Sequence, residues 1–297
     1  MKLFLFVLTF FSLTFKEFLL GAWLVTPPGT MKSIFYAELP YSASLLLILL
    51  AHEMGHYLPA RYYGVKATLP YFIPFPMQPI GTMGAVIKIE SPIPDKRKLF
   101  DIGAGGPIMS LLLSLLCYVC GLYFSKLTPL QGASFENSIF FGDSLLTHWI
   151  GQWILGPYDP KQFDILIHPL AKAGWVGLLI TAINLIPFGQ LDGGHIIYSV
   201  FGEKYRTWIH YLFLGFLILS LFNFGWLIWA FLIYYFIKIE HPFVPNTFDG
   251  NIGVFRKSLG IFLLISIFFI FVPNPIYFGV EKDAPNLIQF LMHRFFQ

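Results

Sequence analysis

The chain has 297 residues, of which 56% are apolar and 12% charged, with a formal net charge of +3. An ordinary soluble domain is about 25% charged, so this composition, with a mean hydropathy of +0.68, excludes a water-soluble globule and points to an integral membrane protein. The small net charge excludes a nucleic-acid binder held by phosphate contacts.

Apolar runs predict spans near 3–25, 41–60, 103–124, 171–188, 206–222, 223–239 and 258–273. That is an all-α polytopic membrane protein with about six or seven transmembrane helices, organised as a single membrane domain over 1–297. The first run, from Lys2 through Leu3 to Phe15, also fits the apolar core of a signal peptide. No small-x-small cleavage site follows it, and the run to Val25 is long enough to cross a bilayer, so a retained span is expected. Lys16 and Glu17 would then face a protein interior or the interface.

The second span ends in Leu45-Leu46-Leu47-Ile48-Leu49-Leu50 followed by Ala51-His52-Glu53-Met54-Gly55-His56. A charged group at membrane depth costs about 3 kcal/mol on insertion scales, so such a cluster implies function and a compensating partner. His52 and His56 are four residues apart and share a helix face. Two histidines so placed with a Glu between them form HExxH, in which the imidazoles bind Zn²⁺ and the Glu is a general base. One zinc per chain is expected, held by His52, His56 and a third ligand, with Glu53 catalytic.

Arg61, Lys66, Lys88, Lys96, Arg97 and Lys98 crowd the stretch between the second and third spans. The positive-inside rule places 61–102 in the cytoplasm, and alternating spans then put Lys204, Arg206, Lys238, Arg256 and Lys257 on the same side. The HExxH site therefore lies near the cytoplasmic face. Within this stretch Pro70, Pro74, Pro76 and Pro79 break any helical period. Gly81 and Gly84 lead into the strand-like Ala85-Val86-Ile87-Lys88-Ile89-Glu90. A membrane-associated proline-rich loop or β-hairpin is expected near 68–90, with its strand edge free for an extended substrate. An ordinary cytoplasmic loop is the alternative.

Cys117 and Cys120 lie in an apolar run with no second CxxC, and packing rather than a redox or metal role is expected. The stretch 125–170 is extramembrane, with no soluble domain of its own. The fourth span leads into Asn184-Leu185-Ile186-Pro187-Phe188-Gly189-Gln190-Leu191-Asp192-Gly193-Gly194-His195. Asp192 emerges at the depth of His52 and His56, and Gly193 and Gly194 allow close backbone approach. It is a ligand candidate on depth alone, a plain Asp-Gly-Gly turn being the other reading.

HEMGH together with NLIPFGQLDGGH resembles the site-2 protease family of intramembrane zinc metalloproteases. The likeness continues through Leu69-Pro70-Tyr71-Phe72-Ile73-Pro74, Gly81-Thr82-Met83-Gly84-Ala85 and Asp101-Ile102-Gly103-Ala104-Gly105-Gly106-Pro107. It is greatest for the compact branch without a PDZ insert, which includes plastid relatives. The resemblance implies zinc on His52, His56 and Asp192, with catalytic roles for Glu53 and Asn184. It implies a catalytic core over 41–202, while the C-terminal transmembrane helices over 203–297 are expected from hydropathy alone. The substrate would be a membrane protein cut in or near a transmembrane helix, in a bacterial inner membrane. The spacing before Asp192 is longer than in the commonest family form, which bears on Asn184 most. His195 is a second hydrogen-bond donor to the oxyanion, a partner of a ligand, or simply a helix-start histidine at the interface. His148, His168, His210, His241 and His293 lie outside the motifs. A catalytically silent scaffold or chaperone that keeps the fold is the alternative function.

Overall fold

The computed structural model describes residues 1–19, 31–129, 139–159, 162–221, 224–244 and 252–278. Helix α1 is Lys2–Leu19 and α2 is Met31–Tyr62. Strands β1 (Tyr71–Pro74) and β2 (Thr82–Val86) follow, then α3 (Lys96–Leu122). Next come β3 (Lys126–Pro129), β4 (Ile139–Phe141), α4 (Leu145–Leu155), β5 (Phe163–Leu166) and α5 (Pro169–Asn184). The chain continues with α6 (Asp192–Phe201), α7 (Ile209–Ser220), α8 (Phe224–Leu232), α9 (Val254–Ile270) and β6 (Ile276–Phe278). Among the described residues, α2 and α3 are long and apolar enough to cross a membrane. The expected end of the first span, 20–25, lies outside the described residues, as do the side chain of Glu17 and all of His293.

Helices α2, α3 and α5 form the centre. From Ala171 to Leu179, α5 is buried at almost every position, as a helix apolar all round must be. α2 and α3 cross where Gly55 meets Gly105. A β-carbon on either glycine would run into the other's backbone, so this crossing requires both to be glycine. Asp95 caps α3, accepting a hydrogen bond from the Lys98 backbone N–H at 3.0 Å. Helix α3 therefore begins among charged residues, earlier than hydropathy alone indicates.

Strands β1 and β2 pair antiparallel, with Tyr71 opposite Val86 and Pro74 opposite Thr82. The alternation of 85–90 suggested a later strand, but beyond Val86 only an isolated bridge between Ala67 and Ile89 continues the pairing. The hairpin wedges between the first two helices. Ser12 Oγ donates to the Gly81 carbonyl at 2.6 Å, Tyr41 Oη donates to the Ile80 carbonyl at 2.7 Å, and Phe6 meets Phe72 edge-on. Tyr41 is twelve residues before Glu53, about 18 Å along a helix. The hairpin thus runs beside α2 from the level of HExxH to the level of Tyr41.

Lys16 faces the protein interior. It pairs with Glu38 at 2.5 Å and sits 4.2 Å from the centre of the Tyr41 ring. At the other end, Arg256 of α9 grips Asp101 of α3 through two bonds of 2.7 and 2.8 Å, and Tyr63 Oη donates to the same carboxylate. The stretch 125–170 carries more structure than its sequence suggests: β3 pairs with β5, and β4 pairs with β6.

Candidate metal centre

Residues 185–191 break the helical path between α5 and α6. Pro187 and the positive φ of Gly189 end regular structure, yet Leu185, Ile186 and Phe188 are buried. Irregular backbone at such depth is tolerated only inside protein, and here the Gly189 N–H finds the Ile239 carbonyl at 3.1 Å. The bend delivers Asp192 as the first residue of α6. Gly193 and Gly194 lie so close to the Leu185–Gly189 backbone that β-carbons there would collide with its carbonyl oxygens.

Asp192 Oδ2 comes within 3.3 Å of His52 Nε2 and 3.4 Å of His56 Nε2. The two Nε2 atoms are 3.1 Å apart. A tetrahedral Zn²⁺ with bonds of about 2.1 Å spaces its ligand atoms by roughly 3.4 Å, so the triangle has the size such an ion requires. The chemistry of the donors agrees. Asp192 Oδ2 is buried and has no hydrogen-bond partner among the described residues, a costly state for a carboxylate unless a cation compensates it. His56 Nδ1 lies 2.6 Å from the Ile102 carbonyl oxygen. That oxygen can only accept, so Nδ1 carries the proton and the neutral ring presents a bare Nε2. His52 Nδ1 lies 3.0 Å from Ser110 Oγ, and Thr181 Oγ1 is 2.8 Å from that oxygen. These are the outer contacts that orient metal-binding imidazoles. Gly106 leaves room for the His56 ring, which a side chain there would displace.

Glu53 is buried and outside the ligand triangle. Its carboxylate faces the Ile87 main chain just past β2. Asn184, the last residue of α5, brings Nδ2 to 3.4 Å from His52 Nε2. Around these groups lies a cleft of about 640 Å³, walled on one side by residues from Ala85 to Ile89 and on another by His241 to Val244.

The model of peptidase family M50 matches residues 40–220, a range that includes His52, Glu53, His56, Asn184 and Asp192. The chain belongs to this family. Among its relatives is the probable chloroplastic zinc metalloprotease EGY1 of Oryza sativa subsp. japonica. It is 36% identical over 181 residues, covering 60% of this chain and 31% of its own. The Arabidopsis thaliana EGY1 is 34% identical over 237 residues, 78% of this chain and 42% of its own. The Arabidopsis thaliana EGY2 is 31% identical over 242 residues, 81% of this chain and 42% of its own. The chain spans less than half the length of these M50 relatives. They are named as chloroplast proteins, which lends the expected bacterial inner membrane no support.

The structure brings together His52, Glu53, His56, Asn184 and Asp192. His195 lines the same cleft but is not in the ligand triangle. His168 caps α5. His148 sits 3.9 Å from Asp143 and His210 3.7 Å from Glu240. Sequence reading missed Ser110 and the Ile102 carbonyl, which contact the His52 and His56 rings, Thr181, which contacts Ser110, and His241, which reaches the cleft from beyond α8. No spacing or motif connects these positions to HExxH, since the contacts cross between helices.

Proposed function

We propose that the chain is an intramembrane zinc metalloendopeptidase that hydrolyses a peptide bond in or near a transmembrane segment of a membrane-protein substrate. The observation that carries this is the His52–His56–Asp192 triangle, whose spacing and orphaned carboxylate oxygen suit one Zn²⁺, with Glu53 beside it in an open cleft. When bound, zinc supplies Lewis-acid polarisation of the scissile carbonyl and makes a water more acidic. Glu53 takes the proton from the attacking water on its carboxylate and returns it to the leaving amine. The Asn184 amide donates a hydrogen bond to the oxygen that gains charge. His52, His56 and Asp192 would hold the metal, with Ser110 and the Ile102 carbonyl keeping the two rings turned toward it.

A substrate helix hides its peptide bonds and must be drawn out to be cut. The end of β2, which forms a wall of the cleft, offers a strand edge for the extended segment. The lysines and arginines over 61–102 support a site near the cytoplasmic face of a multi-pass protein of six or seven spans. In this reading 41–202 is the catalytic core and 203–297 supplies the remaining spans of the one membrane domain.

The test is cleavage of a candidate membrane substrate by the purified protein in detergent. Wild type should cut, chelation should stop it, and Glu53→Gln should lose activity by several orders of magnitude while keeping its zinc. Equal processing by Glu53→Gln would remove the proposed general base, and a zinc-loaded wild type that cuts nothing would favour a silent scaffold.

A further inference from the structure

His241 comes from the segment after α8, outside every motif. Its Nδ1 lies 2.6 Å from the Pro242 carbonyl oxygen, and its Nε2 lies 2.7 Å from His195 Nδ1. The two bonds fix each other's protons. A carbonyl oxygen only accepts, so His241 Nδ1 carries the hydrogen and the Nε2 of the neutral ring accepts. The hydrogen between the rings must then sit on His195 Nδ1. A neutral His195 consequently has a bare Nε2, for which no partner exists among the described residues, and His195 lines the metal cleft one helical turn after Asp192.

From this geometry we infer that His241 is a positioning residue: it locks His195 in the tautomer that offers the cleft a hydrogen-bond acceptor. His195 then receives a main-chain N–H of the extended substrate and does not donate to the oxyanion, which leaves that role to Asn184. The inference rests on the protease reading for what His195 meets, and on this chain's own contacts for the tautomer.

The surroundings hold His241 in place independently of its ring nitrogens. Its backbone N–H bonds Tyr205 Oη, Arg206 Nη2 donates to its carbonyl at 3.2 Å, and the Val244 N–H bonds Tyr198 Oη at 3.1 Å. The Tyr198 ring stacks on the imidazole, 4.6 Å between centres and 15° from parallel. Substitutions at 241 should therefore leave residues 241–244 in place.

His241→Leu removes the acceptor, whereas His241→Gln keeps one: its Oε1 can accept from His195 and its amide can donate to Pro242. His241→Leu should lower kcat/KM about tenfold or more, and His241→Gln should recover most of the loss, with zinc content and melting temperature like wild type for both. Nitrogen-15 spectra of histidine-labelled protein, with His195 assigned by its loss in His195→Gln, should show His195 protonated on Nδ1 in wild type and His241→Gln but not in His241→Leu. A wild-type His195 protonated on Nε2, or a His241→Gln variant as impaired as His241→Leu, would overturn the inference. So would full activity in His241→Leu. Glu53→Gln and chelator arms run alongside. If these fail to stop cleavage the protease reading falls, while the spectra still decide the tautomer.

Discussion

An imidazole binds a cation only through a nitrogen without a proton. The protein secures this at His56 with a backbone carbonyl and at His52 with a hydroxyl. The carbonyl cannot be mutated away, but the hydroxyl can. Ser110→Ala leaves the His52 Nδ1–H without its acceptor, so the ring is free to turn or to change tautomer. Zinc affinity should fall by about 10- to 100-fold, read by competition against a chelating dye, with little change in fold. Affinity equal to wild type would mean that Ser110 does not orient His52. His52 and His56 were legible because helical periodicity places i and i+4 on one face. Depth made Asp192 a candidate, and the resemblance of its motif singled it out. Ser110 was not, because a lone serine in an apolar helix carries no periodic or charge signal.

Two elements, helix α3 and the hairpin, frame the site, and each can be tested at its weakest point. Helix α3 starts at the Asp95 cap, whose carboxylate accepts from the Lys98 N–H and lies 3.1 Å from the Lys98 ammonium. Burial alone pushes this carboxyl up, but the Lys98 backbone and ammonium outweigh it and hold it below its ordinary range. A carboxyl held low in the folded state stabilises the fold above its unfolded pKa, and that contribution fades as the pH drops through the folded one. Asp95→Ala should therefore lose about 1 kcal/mol at neutral pH, and its melting curve should approach that of wild type well below pH ~4, the ordinary carboxylate range. A difference that persists in acid would contradict this.

The second element is the hairpin. Val86→Pro removes the last regular N–H of β2 where the strand reaches the cleft. Cleavage should fall at least tenfold while zinc content stays at wild-type level, and unchanged cleavage would separate the strand edge from substrate alignment. The prolines and glycines of 70–84 made the break from helix visible, but not the register. Ser12 and Tyr41 hold the hairpin turn, and these contacts have no trace in the local sequence. Likewise hydropathy ran the fourth span to 188, whereas α5 stops at Asn184. The residues after it remain buried in protein, so their apolar character says nothing about where the helix ends.

At the scale of the whole molecule, one buried carboxylate from α6 meets two imidazoles from α2, 136 to 140 residues earlier in the chain. Helix α3 sits between them in the packing and supplies both orienting contacts, while the Arg256–Asp101 pair fastens α9 to the residue next to Ile102. The most direct measurement is zinc content and zinc-edge X-ray absorption of the purified full chain. The expected result is about one zinc per chain, with two imidazole nitrogens and carboxylate or water oxygens at roughly 2.0–2.2 Å, and a large loss of metal in Asp192→Ala. Metal-free wild type, sulfur among the ligands, or an Asp192→Ala variant that keeps its zinc with an unchanged spectrum would contradict it.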